Sequence, residues 1–251
     1  MPLLSIPSTY EEYPSSDGEP MAETEVHADE MVALRCTLQH HFRAQSDAYV
    51  STNHFVYYEE GNPRACFAPD VYVVFGVPKL PKRRVYKLWE EKVAPAFVLE
   101  LSSQKTWLED VGNKKALCAR LGVVEYWLFD PEADVIQPPL QGYRLIDGDY
   151  ARIKARADGA VPSAALGLVL SLDRELRVHC VDAETGTPLL RPAEVYLERE
   201  RQSDELAQKT SRLRQMGVVL AEKDAALAQK EAELAAMRER LAALDTETSR
   251  K

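Results

Sequence analysis

The sequence has no apolar run approaching the roughly 18 residues that a membrane-spanning helix needs, which excludes a transmembrane helix. Its opening residues, MPLLSIPSTYEEYP, carry no basic stretch ahead of a short apolar run, so a secretory signal is not expected. No CxxC spacing occurs among Cys36, Cys66, Cys118 and Cys180. That argues against a zinc ribbon or a disulfide framework and for ordinary thiols in a reducing cytoplasm. Lysine and arginine are missing from residues 1–30, which hold eight acids. Residues 31–190 hold 19 basic and 20 acidic residues, and residues 191–251 hold 12 of each. The net charge of -9 therefore belongs almost wholly to the N-terminal segment, and the body of the protein is close to neutral. Such a body permits a DNA-binding face without announcing one. One basic cluster stands out, Lys79, Lys82, Arg83 and Arg84, which fits either a solvated loop or a phosphate contact.

What is present is ordinary globular material, 45% hydrophobic and 28% charged across 251 residues. Residues 1–22, rich in Pro, Ser, Glu and Tyr, read as an irregular lead-in. From about Glu25 the spacing of Met31, Leu34, Leu38 and Phe42 predicts a helix. The runs AYVS, HFVYY, DVYVVFG, RVYKLW and AFVLEL predict strands, with EEGNPR as a hairpin connection between the second and third. A helix is expected over 106–121, with Thr106 and Glu109 spaced as a capping box and Gly122 as its C-terminal cap. VEYWLF continues as a strand, and GYRLI, YARIKA, LGLVLSL and LRVHCV read as antiparallel β structure. The order predicts an α/β or α+β domain over residues 23–190.

Residues 193–247 differ in kind. Leu206, Leu213, Leu220, Leu227, Leu234 and Leu241 recur every seven residues, and residues 193–245 hold one glycine and no proline. Met216, Met237 and Leu244 supply half of a second seam, and Lys209, Lys223 and Lys230 occupy the rest. This pattern predicts a coiled-coil helix, an assembly device with a weakened seam rather than a catalyst.

Three positions invite chemistry. Asp70 follows Pro69 at the mouth of a strand. Glu100 sits inside the apolar AFVLELSS, where a carboxylate needs a cation or a hydrogen-bond network to offset its desolvation. Period-two alternation puts Val98, Glu100 and Ser102 on one face. On neighbouring strands, Asp70 and Glu100 fit either two ligands of one hard divalent ion or satisfied structural carboxylates. Lys114 shares a helix face with Asp110 and Cys118, whereas Lys115 points elsewhere. Glu30 in the first helix is a candidate third acid; its alternative is a favourable charge at a helix N-terminus. The five histidines, His27, His40, His41, His54 and His179, show no ligand spacing, and Tyr126 and Trp127 read as core.

The segments CFAPDVYVVF, AFVLELSSQKT and DVGNKKALCARLGVVEYWLFDP resemble the PD-(D/E)xK nuclease superfamily, and within it a bacterial restriction endonuclease family formerly called a domain of unknown function. The matching positions are Pro69-Asp70, Glu100 with Ser103 and Thr106, Asp110 with Lys114, and Gly122-Val123-Val124-Glu125-Tyr126-Trp127. The resemblance covers residues 20–185. It implies a restriction-endonuclease-like mixed sheet flanked by helices. It also implies Mg2+ (or Mn2+) held by Asp70 and Glu100 with the carbonyl of Leu101, and hydrolysis of DNA. The superfamily's lysine usually stands two residues after the second acid, where this chain has Ser102; Lys114 from the following helix takes that role, with Lys115 as a weaker substitute. As catalytic residues, Asp70, Glu100 and Lys114 predict a Mg2+-dependent endonuclease that forms a dimer through its C-terminal helix. Two other classes are open: a nuclease-fold module that binds DNA or a protein partner with little or no cleavage, and an adaptor built around the coiled coil.

Overall fold

The computed structural model describes residues 13–16 and 24–248, so most of the expected irregular lead-in lies outside the described residues. The chain divides into two units, Met1–Pro192 and Ala193–Lys251. The first is a mixed α+β unit. It begins with α1 (Glu25–His41), whose Thr24 side chain accepts a hydrogen bond from the His27 N–H. Leu34, Leu38 and Phe42, spaced as the sequence predicts, are buried.

A six-stranded sheet forms the centre. Its strands are β1 (Ala48–Ser51), β4 (Val71–Phe75), β6 (Phe97–Leu101), β7 (Glu125–Phe129), β8 (Leu140–Ile146) and β9 (Asp149–Arg152), side by side in that order. β6 and β7 run parallel, joined by a helical crossover, and every other neighbouring pair is antiparallel. The alternation of apolar residues gives this sheet two buried faces. Val71, Val73, Leu99, Leu101, Trp127 and Phe129 join α1 and a second, four-stranded sheet. That sheet is antiparallel and comprises β10 (Val161–Ser163), β11 (Leu168–Leu172), β12 (Val178–Asp182) and β13 (Pro188–Leu189). Tyr72, Val74, Val98, Tyr126 and Leu128 face the other way. There they meet the crossover helix and a small sheet of β2 (Val56–Tyr57), β3 (Cys66–Phe67) and β5 (Tyr86–Lys87). Tyr126 and Trp127 are core residues, as expected.

Three local expectations are corrected. The turn at EEGNPR closes a hairpin between β2 and the two-residue β3, with Tyr57 opposite Cys66, and β4 pairs with β1 instead. RVYKLW is a strand only over β5; Leu88–Glu91 turns into the short helix α2. Thr106 and Glu109 form no capping box, because the Thr106 hydroxyl turns back to accept from the Ser103 N–H at 3.1 Å. The C-terminal cap does form. Gly122 takes φ 80°, with its N–H on the Ala119 carbonyl and the Val123 N–H on that of Cys118, a Schellman pair.

The second unit holds α5 (Pro192–Thr248), a helix of 57 residues and about 85 Å. Proline at its first position suits a site whose N–H has no intrahelical partner. Leu206, Leu213, Leu220, Leu227 and Leu234 are each more than half exposed along it. No helix among the described residues is long and apolar enough to cross a membrane.

Candidate active site

The crossover from β6 to β7 builds the site. It consists of α3 (Trp107–Glu109), a π turn (Asp110–Lys114) and α4 (Lys115–Leu121). Wide turns of this kind recur at functional positions. This one gives the Asp110 carbonyl to the Tyr126 hydroxyl at 2.8 Å and keeps the Asp110 and Lys114 side chains together at 3.0 Å.

Asp70, immediately before β4, and Glu100, on β6, lie on the same face of adjacent antiparallel strands; the register pairs Val71 with Leu99. Asp70 Oδ2 accepts the Leu101 N–H at 2.7 Å, a short charge-assisted bond that fixes its orientation. Glu100 is fully buried; its Oε2 lies 3.1 Å from Lys114 Nζ. Its Oε1 is buried without a hydrogen-bond partner. Asp110 completes the group by accepting the Ser102 hydroxyl at 3.0 Å. The three residues singled out in the sequence, Asp70, Glu100 and Lys114, are thus brought together. Lys115 turns away, its ammonium 3.2 Å from the centroid of the Tyr143 ring.

The electrostatics follow from burial. Desolvation pushes the Glu100 carboxyl well above the usual carboxylate range; Asp70 and Asp110 push the same way, and Lys114 opposes them. Burial alone would lower the Lys114 pKa, but Glu100, Asp110 and Asp70 outweigh it and hold the ammonium above its ordinary value. The three neighbouring carboxylates thus favour the protonated form of Lys114, which faces Glu100 and Asp110 as an ammonium.

Beside this group opens a cavity of about 520 Å³ lined by Asp70, Leu101, Lys114 and His27, with Ser103, Lys105 and Thr106 among its other walls. Glu100 lies behind that wall. His27 had no signal in the sequence, yet α1 places its Nε2 3.6 Å from Asp70 Oδ1. Glu30, the candidate third acid, is elsewhere. Its carboxylate takes Arg191 at 2.5 and 3.1 Å and the Val178 N–H at 3.1 Å, which makes it a tie between α1 and β12. Glu125 and Asp130 of the motif are structural too. Glu125 receives Arg144, Trp127 and Ser163 on the opposite face, and Asp130 accepts the N–H groups of Glu132, Val135 and Ile136.

The donor set fits a hard cation. Two carboxylates, one of them with an unpartnered buried oxygen (Glu100 Oε1), are oxygen ligands of the sort Mg2+ takes, and Mg2+ keeps several waters. Among the described residues no three His, Cys, Asp or Glu side chains are grouped to hold a metal. Water and backbone would supply the remaining ligands.

No curated protein matches the chain. A solved structure described as a putative nuclease belonging to DUF820, from Anabaena variabilis ATCC 29413, is similar at 16% identity, covering 59% of this chain and 76% of that one, with a TM-score of 0.43. A family model described as "Uma2: Putative restriction endonuclease" matches residues 7–177. That span is more than half of the sequence and contains the whole charged group at Asp70, Glu100 and Lys114, and the chain belongs to this family.

Proposed function

We propose that this protein is a Mg2+-dependent endonuclease that hydrolyses phosphodiester bonds of DNA, with Asp70 and Glu100 holding the metal and Lys114 completing the catalytic set. The observation that carries this reading is the convergence of Asp70, Glu100 and Lys114 from two adjacent strands and the crossover helix beside one cavity, with Glu100 Oε1 left unpartnered. Family membership supports the same reading.

Asp70 is oriented by the Leu101 N–H and presents its other oxygen toward the cavity and His27. Glu100 gives negative charge from behind. Asp70 and Glu100 would hold Mg2+, or Mn2+ in its place, and the ion would supply positive charge for the phosphate and acidify an attacking water. Lys114, held protonated, orients that water or stabilises the charge that develops on the phosphate. Cutting both strands of a duplex needs two active sites, and the leucine heptads of α5 offer a homodimer that would bring two together. A cytoplasmic setting suits the four free cysteines.

One observation favours a second reading, a nuclease-fold module that binds DNA or a protein partner with weak or no cleavage. Lys114 already neutralises Glu100, and Glu100 is not on the cavity wall. Plasmid cleavage by the purified protein with Mg2+, Mn2+ or EDTA, beside Asp70→Ala, separates the two. Metal-dependent cutting that the folded variant lacks supports the endonuclease. Absence of cutting by folded wild-type protein supports the binding module, and full activity in Asp70→Ala would sink the site assignment.

A further inference from the structure

A second cavity, of about 480 Å³, lies between α1, the edge strand β1 and the loop after β4. Arg35, Arg43, Lys79, Lys82 and Arg83 line it, and no acid does. Residues 31–190 carry almost equal numbers of acids and bases, so five cations in one groove are a local concentration that the neutral average conceals.

The groove is built, not a chance meeting of mobile side chains. Lys79 donates to the carbonyls of Phe42 and Arg43 at 2.7 and 3.1 Å. Those carbonyls belong to the 3-10 turn (Phe42–Ala44) that follows α1, and the ammonium offsets the partial negative charge that they would otherwise turn on an anion. Arg83 pairs with Glu91 at 2.5 and 2.9 Å and lies over the Tyr49 ring, 4.6 Å from its centroid. The loop is thereby pinned, while Arg35, Arg43 and Lys82 remain exposed for a ligand.

The elements that line this groove also reach the candidate active site. His27 lines the site cavity; Arg35 follows on the same helix, about 12 Å further along its axis, and Arg43 lies in the 3-10 turn (Phe42–Ala44) that continues it, about 24 Å on. On the strand side, Ser51 lines the groove and Asn53, bonded to the Pro69 carbonyl, lines the site. A row of positive charge carried by a helix and a pinned loop, leading away from the proposed phosphodiester-cleaving centre, matches a rigid polyanion. A B-form strand advances about 3.4 Å per nucleotide, so the row spans about three to seven nucleotides from the site. A peptide strand adding to the open edge of β1 is disfavoured, because the Gln39 side chain already takes the Val50 carbonyl.

We propose that this groove is the docking track for the sugar–phosphate backbone of duplex DNA, extending from the site at Asp70 along α1 to Arg43 and Lys82. It rests on the endonuclease reading for its ligand, but not for its charge or shape.

The test is fluorescence anisotropy of a labelled 30-base-pair DNA duplex with the full-length protein in EDTA, as a function of salt, beside a cleavage assay in Mg2+. The variant Arg35→Gln/Arg43→Gln/Lys82→Gln changes exposed side chains only; Arg174→Gln, an exposed cation outside the groove, is the control. The triple variant should bind tenfold or more weakly at about 0.1 M salt, with a salt slope shallower by about one per lost phosphate contact. The control should match wild type, and Lys82→Arg should retain binding. If wild type cuts DNA and the triple variant binds with unchanged affinity and slope, the groove is not the track and the endonuclease stands. If wild type binds through the groove but cuts with neither metal, the endonuclease reading fails and the track stands. If wild type does not bind the duplex, the track is overturned.

Discussion

Lys114 Nζ lies 3.1 Å from Glu100 Oε2 and 3.0 Å from Asp110 Oδ1, so one ammonium bridges a strand carboxylate and a helix carboxylate. This bridge joins the crossover helix to the central sheet, and it puts a cation where a divalent ion bound by Asp70 and Glu100 would add its charge. Both the stability and the metal affinity of the site should depend on it.

Removing that cation should destabilise the protein in a pH-dependent way. The folded state raises the Glu100 pKa above its ordinary 4.5, so the folded chain holds this proton more tightly than the unfolded one. Ionisation of Glu100 therefore draws stability away as pH rises above that value. In Lys114→Met the counter-charge is gone, and breaking a buried pair costs about 3 kcal/mol or more at neutral pH. The gap in Tm between wild type and variant, measured without metal, should narrow as pH falls from about 8 to about 5. A constant gap would show that Lys114 does not compensate Glu100.

The same variant should bind Mn2+ more tightly while losing cleavage. Loss of a like charge a few ångströms from the ion favours binding by about tenfold, read by calorimetry. Weaker binding would mean that Lys114 helps to form the metal site instead of competing with it.

Glu30 and Arg191 form a nearly buried pair that also takes the Val178 N–H. Either Glu30→Ala or Arg191→Ala leaves an unpaired charge in the interior and should cost about 3 kcal/mol or more in denaturant unfolding. Loss of cleavage without loss of stability in Glu30→Ala would return Glu30 to the active site.

Gly142 lies opposite Trp127 in the β7–β8 ladder, and a Cβ there would meet the indole ring at 2.9 Å. Trp127 is fully buried and cannot swing clear, so Gly142→Ala should destabilise by about 1–3 kcal/mol. Gly142→Ala with Trp127→Phe should recover part of that loss in thermal unfolding.

Leu213→Lys with Leu220→Lys should turn a concentration-dependent dimer into a monomer by light scattering, because the change places like charges in the leucine seam. An unchanged mass would remove α5 from the assembly proposal.

Local pattern carried much of this structure. The seven-residue recurrence of leucine lies on one uninterrupted helix, because helical spacing depends only on the chain. Alternation put Glu100 and Val98 on one face of β6 and Leu99 and Leu101 on the other, because strand pleating is equally local. Gly122 ended its helix through its own backbone freedom.

What only the tertiary structure decided are the contacts between distant segments. Glu30 looks like a first-helix acid in sequence, and Arg191, 161 residues later, made it a structural tie. His27 reached Asp70 because α1 packs across the sheet, which no spacing encodes. Thr106 had the spacing of a cap and was diverted by Ser103. The cations of α1 and those of the loop 79–84 belong to one groove only once β1 and β4 pair. Periodicity fixes which way a side chain points, but its partner is set by packing, and the candidate site is made of partners.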